Sequence, residues 1–484
     1  MTPLLLFVFV VAYFLVLLIV AWYTGRNSNN ESFFIGNRNS NWMLVAFGMI
    51  GTSLSGVTFV SVPGAVARDS FSYFQITLGY LIGYTIIAYV LLPLYYKLQL
   101  TSIYHFLSAR LGIVSYKTGA SFFILSRTLG ATARLYLVVK ILQDAILENL
   151  GIPFWATTFI ILTMIILYTY QGGVKTIVWT DTLQTTCMLA GLVICVAYIL
   201  NAMHISIAQS ITAMGDKGYT KVFFADPNSK LFYWKQILAG AFISITMTGM
   251  DQEMMQKNIS VKKLSDSQKN VMTMAVVMLF VIMLFLFLGG LLYLYAGQQH
   301  IMATGDKLFP TIALNNMPPF IGVIFIIALI SALFPSADGA ITALTASFCI
   351  DILGMNNRSD WSEEKKKTTR HIVHLSFAFL FLFFVLIYKW VNNPSMIGVI
   401  LKVAAYTYGP LLGLFTFSIL TKRAVRDQFV PIVCLASPII CYLLDSFQKK
   451  LFGSFEIGLE LLIINGFITF IGLLILSKRT RFVV

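Results

Sequence analysis

The chain has 484 residues, of which 58% are hydrophobic and 11% charged, and its mean hydropathy is +0.82. Soluble domains carry about 25% charged residues, so water is excluded as the main solvent. The net charge of +14 does not read as a nucleic-acid footprint either, because the basic residues sit in short connections between apolar blocks and form no stripe on one face.

Those apolar blocks run to roughly 20 residues, the length of a helix that crosses a bilayer. Hydrocarbon obliges each segment to satisfy its own backbone groups, so helices are expected, and β-barrel alternation is absent. In chain order the first span covers Pro3 to Thr24. It lacks a basic leader and a small-x-small cleavage site and is read as a retained helix. A polar stretch follows, Gly25 to Asn41, and then a span from Trp42 to about Ala67 that contains Gly48, Gly51, Gly56 and Pro63. Further spans are predicted at Tyr73–Tyr96, Tyr116–Leu147, Trp155–Tyr170, Ile177–Met203, Tyr233–Gln256 and Val271–Tyr295. The series closes with Phe320–Leu353, Ile372–Trp390, Ile397–Ile419, Val430–Leu444 and Ile457–Leu476. The total is about thirteen spans. The longest polar connections, Ile205–Phe232 and Ala296–Pro319, are loop-sized, which leaves function to the membrane segments. The spans starting at Trp42 and Tyr233 are both interrupted by Gly or Thr, a hint of an internal repeat.

Lys365, Lys366, Lys367 and Arg370, with Lys478, Arg479 and Arg481 in the tail, mark a cytoplasmic face and predict an N-terminus outside and a C-terminus inside. The Pro-blocked Asn393-Pro394-Ser395 is the sole sequon-like sequence in the predicted outer loops, which favours a bacterial plasma membrane. Five cysteines lie in apolar segments without CxxC spacing, so neither a disulfide framework nor a metal site is expected.

Four polar features sit where lipid-compatible sequence is the rule. Gly48-Met49-Ile50-Gly51-Thr52-Ser53-Leu54-Ser55-Gly56-Val57-Thr58 can unwind and expose carbonyl oxygens suited to a sodium ion, or can serve close helix packing. Ser331-Ala332-Leu333-Phe334-Pro335-Ser336-Ala337-Asp338 places a carboxylate deep in a span, where it serves an ion or solute or bonds a neighbouring helix. Pro335 lacks an amide donor and can free a carbonyl. Asp181 opens a span, as an ion-pathway residue or as an acid favoured by the helix dipole. Arg127 and Arg134, seven residues apart, share a helix face and suit a solute carboxylate or an internal salt bridge, for example with Asp144. Gln75, Ser244, Thr246, Thr248, Asp251, Gln252, Tyr406, Thr407 and Tyr408 are further polar groups in spans. No P-loop, HExxH or Ser-His-Asp arrangement is present, so neither ATP energy nor hydrolysis has a site and an enzyme is not expected.

The runs Leu92-Pro93-Leu94-Tyr95-Tyr96-Lys97 on to Leu107, Gly172-Gly173-Val174-Lys175-Thr176-Ile177-Val178-Trp179-Thr180-Asp181, and Tyr406-Thr407-Tyr408-Gly409-Pro410-Leu411-Leu412-Gly413 resemble the sodium:solute symporter family. The resemblance implies an all-α integral membrane protein with a LeuT-type 5+5 inverted-repeat core. It divides the chain into an extra N-terminal helix and loop (1–41), the ten-helix core (42–421) and two C-terminal helices (422–484). Sodium ligands carried over from the family fall on Gly51, Leu54, Ala332, Pro335 and Ser336. Pro335 stands where many relatives have Ser, which removes a hydroxyl. Asp338 and Asp181 align near a second sodium position, so one or two sodium ions are expected, with a proton as the alternative. Ser55, Thr58 and Gln75 resemble the sialic-acid pattern. Gly130 takes the place of the family's arginine, with Arg134 one turn on, and Ser244 completes the candidate solute set. The expected activity is secondary symport of a carboxylate-bearing solute such as a sialic acid or a monocarboxylate. Neutral sugar, polyol or amino-acid symport is the alternative, and a channel or membrane solute sensor is the rival class. A small solute and the lipid bilayer are the expected partners, with no nucleic acid and no obligate protein partner.

Overall fold

The computed structural model describes residues 3–25, 33–34, 36–170, 173–390 and 395–481. Most of the polar stretch before Asn41, the turn at Gln171-Gly172 and Asn393-Pro394 of the blocked sequon lie outside the described residues.

Helix α1, Pro3–Gly25, stands first. Next comes a pair, α2 (Trp42–Ser53) and α3 (Gly56–Asp69), bent by 54° at a short break, so the span expected to unwind does so between Ser53 and Gly56. Asn41 starts α2 by accepting the Met43 amide at 2.9 Å, a side-chain cap for an otherwise orphaned donor. Then follow α4 (Tyr73–Lys97), α5 (Ile113–Leu150), α6 (Phe154–Thr169) and α7 (Gly173–Ala202). The second half opens with another interrupted span. Helix α8, Tyr233–Ser244, loosens into a wider π-type turn at Ile245–Gly249, and α9, Gln252–Ile259, resumes after Met250 and Asp251. Four spans complete it: α10 (Leu264–Gln298), α11 (Pro319–Ile352), α12 (Glu363–Tyr388), and the pair α13 (Met396–Thr407) and α14 (Gly409–Leu420), bent by 46°. Helices α15 (Val430–Phe452) and α16 (Leu461–Leu476) close the chain.

Among the described residues, eight helices are long and apolar enough to cross a bilayer, and the two bent pairs raise that to ten. The shorter apolar α6 and α16 and the interrupted Tyr233–Ile259 span occupy the remaining places in the expected order of thirteen. The structure adds secondary elements that hydropathy does not reveal. A short helix, Ile207–Asp216, carries a Ser206/Gln209 capping box in the longest connection. A two-stranded antiparallel ribbon joins β1, Arg423–Val425, to β2, Ser477–Arg481.

Each half has five spans, an odd number, so the second half is inverted relative to the first. Packing between the halves is reciprocal: the interrupted helix of each lies on the second helix of the other, α2 and α3 on α10, and α8 on α4. The α8–α4 seam relies on missing side chains. A Cβ on Gly79 would meet the Ile237 carbonyl and the Ala241 amide, and one on Gly240 would meet the Ile76 carbonyl. Small residues allow this approach, the means by which helices associate in lipid, where no hydrophobic force separates tail from side chain. Gly240→Ala should therefore force the seam apart and destabilise the fold by about 1–3 kcal/mol. A lowered detergent melting temperature is expected, and an unchanged one would show that the seam can yield.

Outside this seam, α5 and α7 both pack on α11, and α1 leans on α7 and α11. Ser331, in the conspicuous α11 motif, donates its hydroxyl to Tyr13 of α1 at 2.6 Å. That member of the motif joins helices.

Candidate functional site

The break in α2/α3 leaves helix ends inside the bundle. The last carbonyls of α2, Gly51 to Leu54, face the break, as do the first amides of α3, Gly56 to Thr58, and helix ends leave such groups without intrahelical partners. Ser55 occupies the N-cap position of α3, yet its hydroxyl makes no capping bond. Both half-helices pack on α11, which carries Ala332, Pro335, Ser336 and Asp338, all buried. Helix α11 runs unbroken through Pro335, whose missing amide leaves the Ser331 carbonyl without its usual donor. Ser336 donates its hydroxyl back to the Leu333 carbonyl at 2.8 Å.

Beside the break lies a cavity of about 80 Å³, room for several waters. Leu54, Ser55, Thr58, Arg134 and Ser244 line it together with Tyr73, Tyr80 and Tyr84. Four of the five expected solute residues thus line one cavity. Gln75 is not among the lining residues. It is buried, and its amide donates to the Ser72 carbonyl at 3.3 Å and the Leu231 carbonyl at 3.2 Å, which ties the start of α4 to the segment before α8. Tyr73, Ile397 and Leu401 also line a larger vestibule of about 610 Å³, bounded in addition by Arg68, Lys230 and Asp445. The small cavity therefore adjoins the vestibule, with Tyr73, Ile397 and Leu401 between the two.

Arg127 and Arg134 part company. Both line the cavity, but Arg127 is ion-paired to Glu253 of α9, with Asp251 at 4.0 Å. Asp144 does not serve it; Glu253 does. Arg134 has no carboxylate within 4 Å among the described residues.

Opposite the vestibule, α9 is fastened from every side. Asp251 caps it by accepting the Glu253 amide at 2.9 Å, and receives the Tyr408 hydroxyl at 2.8 Å. Gln252 bridges to the Thr101 carbonyl and the Ile103 amide at 2.9 and 3.0 Å. Tyr95 and Tyr104 donate to the Gly249 and Met250 carbonyls, at 2.8 and 2.9 Å, where the helix is interrupted. Lys257 reaches Asp181 of α7 and Thr52 of α2, each at 2.7 Å. Asp338 accepts the Tyr168 hydroxyl at 2.7 Å and the Gly339 amide at 2.5 Å, so its carboxylate bonds a neighbouring helix, one of the two readings its position allowed.

Sequence reasoning missed three residues. Glu253 and Lys257 stand four apart near the end of an apolar span, and charges within a span are the available signal. Thr185 is the third. Its buried hydroxyl has no hydrogen-bond partner and lies against Gly51, where a Cβ would strike it. Nothing in its sequence context distinguishes it. The oxygen-rich corner between α2 and α7 suits a dehydrated cation, since an orphaned hydroxyl and free carbonyls are hard ligands.

A broken helix at mid-bundle, reciprocal inverted halves and a polar cavity beside the break form the architecture of a multi-pass membrane transporter. The model of the Sodium:solute symporter family matches residues 33–427, and the chain belongs to that family. The sodium/sialic acid symporter NanT of Aliivibrio fischeri is 23% identical over 467 residues, covering 92% of this chain and 88% of the relative. Sodium-coupled monocarboxylate transporter 1 of Mus musculus is 25% identical over 419 residues, covering 83% of this chain and 66% of the relative, so the chain spans just under two thirds of that protein's length. In fold, the chain is similar to a substrate-bound, outward-open Na+-coupled sialic acid symporter, with a TM-score of 0.84 at 20% identity over 98% of this chain and 99% of that one. That likeness is to the LeuT-type architecture.

Proposed function

We propose that the protein is a sodium-driven symporter of a small carboxylate-bearing solute, with residues 42–421 as the moving core. Arg134 carries the reading. A partly buried guanidinium that lines a narrow cavity with no carboxylate within 4 Å among the described residues lacks a close counter-charge, and a solute carboxylate answers it with a bidentate pair. The N-terminus of α3, at Ser55 to Thr58 on the same cavity, adds the positive end of a helix dipole. A neutral sugar would leave both uncompensated. The cavity of about 80 Å³ accommodates a monocarboxylate as it stands, whereas a sialic acid requires it to widen. Relatives named for sodium-coupled sialic acid and monocarboxylate transport support both choices.

Sodium takes the α2 corner, with Gly51, Leu54, Ala332, Pro335 and Ser336 as the expected set and Thr185 added. Cation binding there holds α2 against α7 and α11, which stabilises the state whose cavity meets the vestibule; solute and sodium then favour one another because both prefer that state. With the N-terminus outside, as the Lys and Arg distribution favours, the vestibule opens outward and α9 forms the inner barrier. The bacterial plasma membrane is the proposed location.

Thr185→Val removes one hydroxyl at nearly constant shape and should raise the sodium concentration for half-maximal uptake about tenfold, the effect of a ligand contributing about 1.4 kcal/mol. Ser336→Ala should act in the same direction. Unchanged sodium dependence in both would remove α7 and α11 from the ion site. The solute class is tested by thermal-shift screening of monocarboxylates, sialic acids, sugars, polyols and amino acids with and without sodium. Stabilisation by carboxylates that strengthens in sodium is the expected result. Stabilisation by neutral sugars alone would overturn the assignment.

A further inference from the structure

Asp181 and Asp338 are the two carboxylates that a second sodium would draw on, and both are engaged by this chain's own donors, Asp181 through Oδ2 alone, with its buried Oδ1 left without a hydrogen-bond partner. The Lys257 ammonium lies 2.7 Å from Asp181 Oδ2 and 2.7 Å from Thr52 Oγ1, with Glu253 Oε1 at 3.8 Å. The Lys257 side chain is 3% exposed and those of Asp181 and Glu253 are fully buried. Thr52 also donates to Asp181 Oδ2 at 3.2 Å. One cation thus draws oxygen partners from α2, α7 and its own α9, a ring of the composition a small free ion would require. Each oxygen of Asp338 accepts one hydrogen bond, from Tyr168 and from Gly339. The same layer is closed by Arg127 on Glu253, and Glu253 lies directly against Gly339 of α11.

We infer that Lys257 is a tethered cation that occupies the Asp181 position in place of a second sodium, so the chain binds one sodium where this pair of carboxylates would otherwise admit two. The inference rests on the sodium-symport reading. A tethered ammonium has a high effective concentration at a site it can reach without strain, and its presence repels a free cation from the same oxygens at low dielectric. The geometry also explains why a carboxylate expected to serve a mobile ion is found in a structural bond. Because Lys257 belongs to α9, the charge that Asp181 holds leaves only if the inner barrier moves.

The test is radioactive sodium bound per molecule of the purified full-length protein, measured in wild type, Asp181→Asn and Lys257→Met. Wild type should bind one sodium, Asp181→Asn should also bind one, and Lys257→Met should bind two, a twofold rise, because Asp181 then requires a counter-ion while Glu253 keeps Arg127. Two sodium ions on wild type, a lower count in Asp181→Asn, or a single sodium on a folded Lys257→Met would overturn the inference and leave sodium symport standing. No sodium bound to wild type would overturn the symport reading itself. If Lys257→Met does not fold, the counts for wild type and Asp181→Asn still decide.

Discussion

Arg134→Met lowers uptake of the carboxylate solute by roughly 10²–10³-fold, while the melting temperature of the solute-free protein stays close to that of wild type. Both halves of this expectation follow from one observation. Arg134 lines the cavity and has no carboxylate within 4 Å among the described residues, so its removal breaks no internal ion pair. The solute, in contrast, loses its counter-charge. Truncating one partner of a desolvated, hydrogen-bonded charge pair costs about 2–5 kcal/mol, and each 1.4 kcal/mol is tenfold. Arg134→Lys should recover only part of the loss, since an ammonium is a point charge and cannot form the two parallel bonds of the guanidinium fork. Initial uptake rates and solute-induced thermal shifts check the first half, and the melting temperature of the solute-free protein checks the second. A large drop in that melting temperature would instead assign Arg134 a structural role.

Seven residues away, the opposite pattern is expected. Arg127 and Glu253 are paired and almost wholly buried, with 4% and 0% of their side chains exposed. Glu253→Gln or Arg127→Met strands a charge beside α9 and should destabilise by about 3–5 kcal/mol. The double replacement Arg127→Met with Glu253→Met removes both charges and should restore much of the loss, because a buried pair contributes little over an apolar contact of similar size. Melting temperatures of the two single variants and the double variant form the cycle. Additive losses would mean that the two side chains stabilise independently. Since Glu253 helps hold α9 against α5 and α11, the single variants should also admit solute without sodium through a loosened inner barrier.

What could be read in advance follows the strength of the physical signal. Bilayer length fixes the spans, and a run of glycines and hydroxyls in a lipid-compatible helix can persist only at a cavity, so the break at Leu54-Ser55 was legible and the structure bends there by 54°. Leu54, Ser55, Thr58, Arg134 and Ser244 come together because the inverted repeat brings α3, α5 and α8 to one cavity. Gln75 has the right chemistry for a solute contact, but a span sequence does not disclose whether an amide faces a cavity or a neighbouring carbonyl, and here it faces carbonyls. Asp338 poses the same ambiguity, and its partner Tyr168 comes from a helix 170 positions away in sequence. Glu253 and Lys257 escaped notice because charges near the end of a span look like its aqueous boundary, whereas α9 ends inside protein and is buried throughout.

Sodium symport requires that a sodium gradient drive a carboxylate through this cavity. In proteoliposomes preloaded without sodium, an inward sodium gradient should concentrate a labelled monocarboxylate or sialic acid above its external level, and reversing the gradient should expel it. Equilibration to equal concentrations regardless of the gradient, or no movement at all, would contradict symport and favour a channel or a solute sensor.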